Sequence, residues 1–435
     1  MRLFLLLFLL IFFTPLHLLH ASSELVFYLE EAYKNNPKLN AERKNLKATK
    51  QNINISKSDF FPSLSLSGSV DSVQSTNKTN HSGTSLPDSS SNKETKKLLL
   101  EQKIFQGFQG YNTLKKSELE FSRANFLLKS TQQNTIFDAA SAYFDLIYRS
   151  KTKEFNLSNV DLFERQVETD SARVQKGEIT LTDLAQSESS LAGAKASFIS
   201  SDTEFLTTKQ NFKRIIGVEP PNEVTKNIEF ALALPTNLQT ALDLSQKNNP
   251  ELLIAEINYQ ISVRDVNIKK AQYSPTASIN FSKSESKDYS QTIDDIEEES
   301  VNATVSWPII KGGKNYSSIK KSKFKKEQSN LILQDTTNKI KTDTTNAWAL
   351  YQSANSILNS TKAQVRAAEI ANEGISLEYD SGTNRTTLEV IQSRSLLLQA
   401  RIDNAKAERD FNISKFRMLS VIGNLTLENI KSNKL

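Results

Sequence analysis

NNPKL at 35–39 and NNPEL at 248–252 are one phrase written twice, 213 residues apart, in a chain of 435 residues that holds only 10 prolines. Landmarks on either side keep step with it. Pro37 is followed by Pro62 in FFPSLSLS and Pro250 by Pro275 in YSPTASIN, again at an offset of 213. Further on the offset settles at 205, where YNTLKKS (111–117) meets YSSIKKS (316–322) and Gly177 meets Gly382. One residue is added after Gly382, and at offset 206 Gln186-Ser187 meets Gln392-Ser393 and Gly217 meets Gly423. Ordered matches of this kind define an internal duplication. The halves are 24–217 and 237–423, joined by a proline-marked linker (218–236) and followed by a short tail (424–435). Each is far longer than a solenoid repeat, so the protomer is pseudo-symmetric.

Each half reads the same way. Pro37 and Pro250 open a helix, where a missing N–H costs nothing, with Asn36 and Asn249 as N-caps. Pro62 and Pro275 precede a change of period. Leu64, Leu66, Gly68 and Val70 alternate with serine, as Ala277, Ile279 and Phe281 alternate with polar residues, which predicts strands with one apolar and one polar face. Weaker return strands follow at Leu98–Ile104 and Val301–Trp307. The polar stretches 72–97 and 282–300 read as long exposed hairpin loops. The helical period then returns. Residues 111–176 contain no Gly or Pro, and as one helix they extend about 100 Å at 1.5 Å per residue. Sevenfold stripes (Tyr111, Leu114, Phe121, Leu128; then Leu333, Ile340, Ala347, Leu350, Ile357) predict coiled-coil packing. Turns at Gly177 and Gly382 lead to helices that return to Gly217 and Gly423.

Composition narrows the function. With no cysteine there are no disulfides, thiolate metal sites or cysteine nucleophiles. The 3 histidines are His17, His20 and His81, the last in a loop, so catalysis finds no foothold and neither a cofactor nor a metal is expected. The acidic run at 294–299 reads as a solvated loop tip. A net charge of +5 against 54 basic and 49 acidic residues gives no support for nucleic acid. At the N-terminus, Arg2, the apolar run Leu3–Phe13 and the small residues Ala21-Ser22-Ser23 predict a cleaved secretion signal (1–23), and lipidation is excluded because no cysteine follows.

A secreted chain with one-sided strands has two physical options. Four strands can pack as a small sheet on helices, yet nothing would then cover a sheet beside such long helices. Alternatively the apolar face meets lipid, where every backbone group needs a partner and only closed barrels span. Four strands are too few to close, since single-chain barrels start at about eight. Assembly is the economical solution.

The paired NNPKL/NNPEL phrases, FFPSLSL and YSPTASI, QKIFQGF (102–108), WPIIKGG (307–313), YDSGTNRT (379–386) and IGV/IGN (216–218, 422–424) together resemble the TolC-like outer membrane factors. The resemblance covers 24–424. It implies a mainly α protomer with a transmembrane β part: four β-strands contributed to a trimeric twelve-stranded barrel, and a long antiparallel α-helical coiled-coil tunnel in the periplasm. An equatorial region would come from the linker and tail, reduced here because the tail is short. The implied function is the exit duct of a tripartite efflux pump or type I secretion system in the outer membrane of a Gram-negative bacterium. Implied partners are two further copies, a periplasmic adaptor, an inner-membrane transporter of RND, ABC or MFS type, and outer-membrane lipid, with no nucleic acid. A gate at the periplasmic end would use Tyr379 and Arg385, with Glu389 at the first acidic position and Gln392 at the second. Asp183 holds the equivalent turn of the first half. The competing reading for these residues is a solvated hairpin tip. KKSKFKK (320–326) reads as a solvated helix face or as a contact with headgroups or cell wall. The alternative function is a non-channel coiled-coil structural protein of the envelope or cell surface.

Overall fold

The computed structural model describes residues 16–221, 223, 232–290, 293–381 and 385–432. Most of the expected signal, part of the linker, Gly382 and the last three residues lie outside that set. Element order is α1 (Leu16–Asn35), α2 (Pro37–Ser58), β1 (Ser63–Ser75), β2 (Ser89–Gln106), α3 (Gln109–Gln175), α4 (Leu181–Ile216) and, in the second half, α5 (Leu238–Asn248), α6 (Pro250–Ala271), β3 (Thr276–Ser290), β4 (Ile293–Ser306), α7 (Lys314–Asp380), α8 (Thr387–Val421) and α9 (Leu427–Ser432). The chain forms two compact units. One gathers the segments up to Arg43, Phe126–Leu253 and from Asp335 onward; the other gathers Lys44–Asn125 and Ile254–Gln334.

In the first unit the repeated phrase explains itself. Asn36 Oδ1 accepts from the Leu39 N–H at 3.0 Å, and Asn249 Oδ1 from the Glu251 N–H at 2.8 Å, so each asparagine caps the helix that its proline opens. Two helices that periodicity alone did not mark, α1 and α5, end at this phrase. The phrase also abuts the glycine closing its half. A Cβ on Gly423 (φ +75°) would lie 2.2 Å from the Asn248 carbonyl oxygen, and one on Gly217 3.2 Å from Asn35 Cβ. Asn249 Nδ2 donates to the Val421 carbonyl at 2.8 Å, fastening the helix start to the end of α8. Beside these joints lies the main core, where Tyr143, Phe212, Phe416, Leu29 and Ile136 are fully buried. Each large apolar side chain there contributes roughly 1.5–3 kcal/mol.

Away from the core, the helices pack through narrow seams. On α3 the buried positions Thr152, Asn156, Asn159, Phe163, Gln166 and Asp170 follow steps of four and three, the coiled-coil period. On α4, Ser187, Ala194 and Ser201 keep the sevenfold rhythm. The second hairpin meets through Asn372 and Ser393 (3.1 Å), Thr361 and Asn404 (3.3 Å), and the stacked rings of Tyr351 and Phe411 (5.9 Å). The expected stripes hold in part: Ile340 and Ala347 are buried seven residues apart. Tyr111, Leu350 and Ile357 are exposed, whereas the sevenfold set Ser117, Ala124 and Thr131 is buried. Small and polar residues supply most of these seam positions, with Phe163 and the Tyr351–Phe411 pair as larger exceptions.

The second unit carries one antiparallel sheet in the order β1-β2-β3-β4, so that β2 and β3 join the two repeats edge to edge. β1 and β3 begin directly after Pro62 and Pro275. The sheet reaches well into the stretches expected to be loops: only 76–88 separates β1 from β2, and β3 and β4 run to Ser290 and from Ile293. Polar cross-strand pairs carry these extensions, among them Ser72–Asn92 (2.7 Å), Thr95–Ser286 (3.1 Å) and Lys283–Glu299 (3.1 Å). A ladder needs backbone groups rather than apolar side chains, so an apolar alternation undercounts it.

Candidate functional site

Two surfaces stand out: the sheet, and the turns of the two helical hairpins. Register sorts most of the sheet's side chains, although Leu99 lies with the polar set and the Lys283–Glu299 pair with the apolar one. Leu64 pairs with Leu100, Leu100 with Phe281 and Phe281 with Val301, so all four share a face. Leu66, Val70, Leu98, Ile279 and Val305 lie on it too, and every one is exposed. The opposite face carries Ser65, Ser67, Thr95, Ser282, Ser284, Asn302 and Thr304. A sheet that shows water an apolar face while lining its other face with hydroxyls inverts the usual order of a soluble protein. Among the described residues no helix is long and apolar enough to cross a membrane.

The hairpin turns are built on matching caps. Thr180 caps α4 and Thr386 caps α8, each reciprocally with the acidic residue three positions on. Asp183 thus spends its carboxylate on Thr180, accepting from its N–H at 3.0 Å and its hydroxyl at 2.7 Å. Glu389 accepts from the Thr386 N–H at 2.8 Å and from Arg385 Nη1 at 3.1 Å. These two donors, in that order, hold its carboxyl below the ordinary 4.5. Arg385 Nε donates to Glu378 at 2.5 Å, and that bond, ahead of the one to Glu389, raises the guanidinium's pKa. Gln392 is exposed and joins none of these bonds.

Tyr379 belongs to a different cluster. It is buried, and its hydroxyl donates to Asp170 Oδ1 at 2.8 Å and lies 3.1 Å from Thr387 Oγ1. Asp170 is fully buried and also accepts from Gln166 Nε2 at 2.9 Å and Ser187 Oγ at 2.6 Å. The Arg173 guanidinium covers the Tyr379 ring at 4.7 Å, and Arg394 Nη1 donates to the Leu162 carbonyl at 3.3 Å. Burial, foremost, pushes the Tyr379 hydroxyl up and pulls the Arg394 guanidinium down. Side chains of α3, α4 and α7 therefore converge on one buried carboxylate, with Thr387 of α8 beside the Tyr379 hydroxyl, tying the first hairpin to the second. The structure brings Arg385 and Glu389 together, puts Tyr379 with Asp170, and leaves Asp183 in its own cap. Gly177 turns the first hairpin in the left-handed region (φ +73°); Gly382 lies outside the described residues. Asp170, Arg173, Glu378, Thr387 and Arg394 were not singled out by motif. An aspartate at a seam position of a heptad was the available signal.

The profile of the outer membrane efflux protein family matches residues 28–218 and 241–424, one stretch for each repeat. The chain belongs to that family. It is 26% identical to the outer membrane efflux protein BepC of Brucella suis over 410 residues, which is 94% of this chain and 87% of that one. It is 20% identical to the outer membrane protein TolC of Escherichia coli over 425 residues, 95% and 84% of the two chains. Among solved structures, the Campylobacter jejuni CmeC outer membrane channel superposes with a TM-score of 0.80 at 15% identity, covering 94% of this chain and 89% of that one. VceC of Vibrio cholerae gives 0.76 at 16% identity, covering 92% and 96%. At such identities the structural likeness concerns the fold: a helical body with a four-stranded sheet. Membership accounts for both matched stretches at once and makes this chain an outer membrane efflux protein.

Proposed function

We propose that this chain is the exit duct of a tripartite efflux pump or type I secretion system, three copies pooling their strands in a twelve-stranded outer-membrane barrel. The two-faced sheet is the observation that carries the reading. With β1 and β4 as its edges, it cannot close on itself, and each unpaired backbone group left in lipid costs several kcal/mol. Three copies remove every edge, turn the leucine and valine face to lipid, and give the lumen the Ser/Thr/Asn face. The helical hairpins continue the duct into the periplasm, where an adaptor and an inner-membrane transporter of RND, ABC or MFS type deliver cargo. At the hairpin tips the Arg385–Glu378–Glu389 cluster and the Tyr379–Asp170 bond hold the duct closed at rest. The tests are fractionation and planar bilayers. Outer-membrane recovery, a detergent-resistant trimer and ohmic single-channel conductance are expected. A surfactant-free soluble monomer without conductance would sink the reading.

A further inference from the structure

Between Glu299 and Glu327 the chain carries seven lysines and no acidic residue. The segment leaves the sheet at the end of β4, passes Trp307, Ile309 and Ile310, and enters α7. All three of those side chains are more than 60% exposed, Ile310 at 87%. Trp307 is held at the surface by its indole N–H, which donates to the Tyr273 carbonyl at 2.9 Å. Lys320, Lys321, Lys323 and Lys325 follow on the first turns of α7, all exposed. Lys320 lies over the exposed ring of Phe324 at 6.0 Å. Among the described residues none of these four ammonium groups has a carboxylate within ion-pair distance.

The first repeat provides an internal control. At an offset of 205, Lys320 and Lys321 correspond to Lys115 and Lys116, whereas Lys323 and Lys325 stand where Glu118 and Glu120 stand. There the lysines are satisfied within the protein: Lys115 pairs with Glu118 at 2.8 Å, and Lys116 with Asp265 at 2.8 Å and Glu120 at 3.9 Å. The second repeat has lysines at the two positions where the first has these glutamates. Like charge at i,i+4 spacing, as at Lys321 and Lys325, disfavours a helix slightly, and an external anion would offset it.

We propose that this lysine face of α7, with the Trp307–Ile310 segment, binds the headgroups of anionic phospholipid. An aromatic and aliphatic rim followed by a cluster of cations matches the order of acyl chain and phosphate across one leaflet. Long lysine stems let the ammonium groups reach phosphates beyond their own helical turn. The surface gathers an anionic lipid shell around the second repeat of each protomer and not around the first. It rests on the outer-membrane reading above.

The test uses Trp307 as reporter in the reconstituted full chain, taking its signal as the difference from Trp307→Phe. Vesicles contain brominated phosphatidylglycerol in phosphatidylcholine, or the reverse label at the same composition. Expected is stronger quenching by the brominated anionic lipid, a preference of about fivefold, which one lysine near an anionic surface supplies, shrinking as salt rises. Lys323→Glu with Lys325→Glu, which restores the pattern of the first repeat, abolishes the preference and keeps overall quenching. Lys320→Gln with Lys321→Gln, which inverts no charge, lowers it. Equal quenching by both labels in the wild type overturns the proposal while leaving membrane insertion intact; absence of quenching by either overturns the membrane reading itself. Co-sedimentation of the wild type with purified peptidoglycan, lost in the double glutamate variant and without lipid preference, assigns the face to the cell wall and overturns it also.

Discussion

The Tyr379 hydroxyl donates to Asp170 at 2.8 Å across 209 positions of sequence, from the last turn of α7 into the seam of the first hairpin. Neither side chain has water as an alternative partner, since Asp170 is fully buried and Tyr379 nearly so. A buried charge of this kind is held by its donors, and removing one donor costs more than the bond is worth in water. The two hairpins of the protomer are thereby latched at their turns.

Removing the latch is the first prediction. Tyr379→Phe deletes one of three side-chain donors to Asp170 and costs about 1–3 kcal/mol. Single-channel conductance in planar bilayers is expected to rise, with a lowered melting temperature. In a cycle with Asp170→Asn, the coupling energy should reach at least about 0.5 kcal/mol. Additive effects with unchanged conductance would show that the bond latches nothing.

Arg385 makes a different prediction, because it and its partners Glu378 and Glu389 face solvent. Exposed ion pairs add little to stability, so Arg385→Ala leaves thermal unfolding unchanged. Its expected effect is on the open fraction alone: conductance rises. Arg385→Lys rescues only in part, because an ammonium cannot reproduce the fork that reaches both carboxylates at once.

Acid should loosen the same turn. The Glu389 carboxyl lies below its ordinary 4.5, chiefly through the Thr386 N–H and next through Arg385. A depressed carboxylate stabilises the fold above the ordinary value, and its contribution is lost as the pH falls through the folded value. Conductance recorded from pH 7 downward should be flat to about pH 5 and then increase. Glu389→Gln should show the increase already at neutral pH and a flatter acid limb.

Two glycines with similar backbone angles separate strain from contact. Gly177 (φ +73°) has nothing within 4 Å of an added Cβ, whereas Gly423 (φ +75°) would drive one to 2.2 Å from the Asn248 carbonyl. Gly177→Ala is expected to cost about 1–2 kcal/mol, the left-handed penalty. Gly423→Ala must also displace the backbone of the repeated phrase, placing it in the tail of large effects, about 4 kcal/mol or more. Detergent-resistant assembly after mild heating reads both, and equal losses would refute the contact.

Periodicity showed where the helices and strands begin because those signals are local. Pro37 and Pro250 open their helices and Pro62 and Pro275 precede their strands as expected, since a proline constrains its own φ and its neighbour's whatever the rest of the chain does. The sheet's extension through 72–75 and 89–97 was not legible, because serine, lysine and glutamate alternate there without an apolar face. The helical stripes were legible only in part, Ile340 and Ala347 being buried but Leu350 and Ile357 exposed. Large apolar residues such as Leu350 attract attention, but the seams admit Ser117, Ala124 and Thr131. Among the candidate site residues, the pairing of Arg385 with Glu389 could be read from their spacing of four on one stretch of chain. The link from Tyr379 to Asp170 could not.

By itself, then, the sequence determined the duplication, the kind and order of most elements, and the two-faced character of the strands, all of which follow from spacings of a few residues or from one constant offset. Only the tertiary structure decided which polar groups are withdrawn from water and who satisfies them: Asp170 among Gln166, Ser187 and Tyr379, and Gly423 against Asn248. The difference is physical. A backbone preference is settled by neighbours along the chain, whereas the desolvation of a carboxylate, and the donors that make it tolerable, depend on elements that meet only after folding.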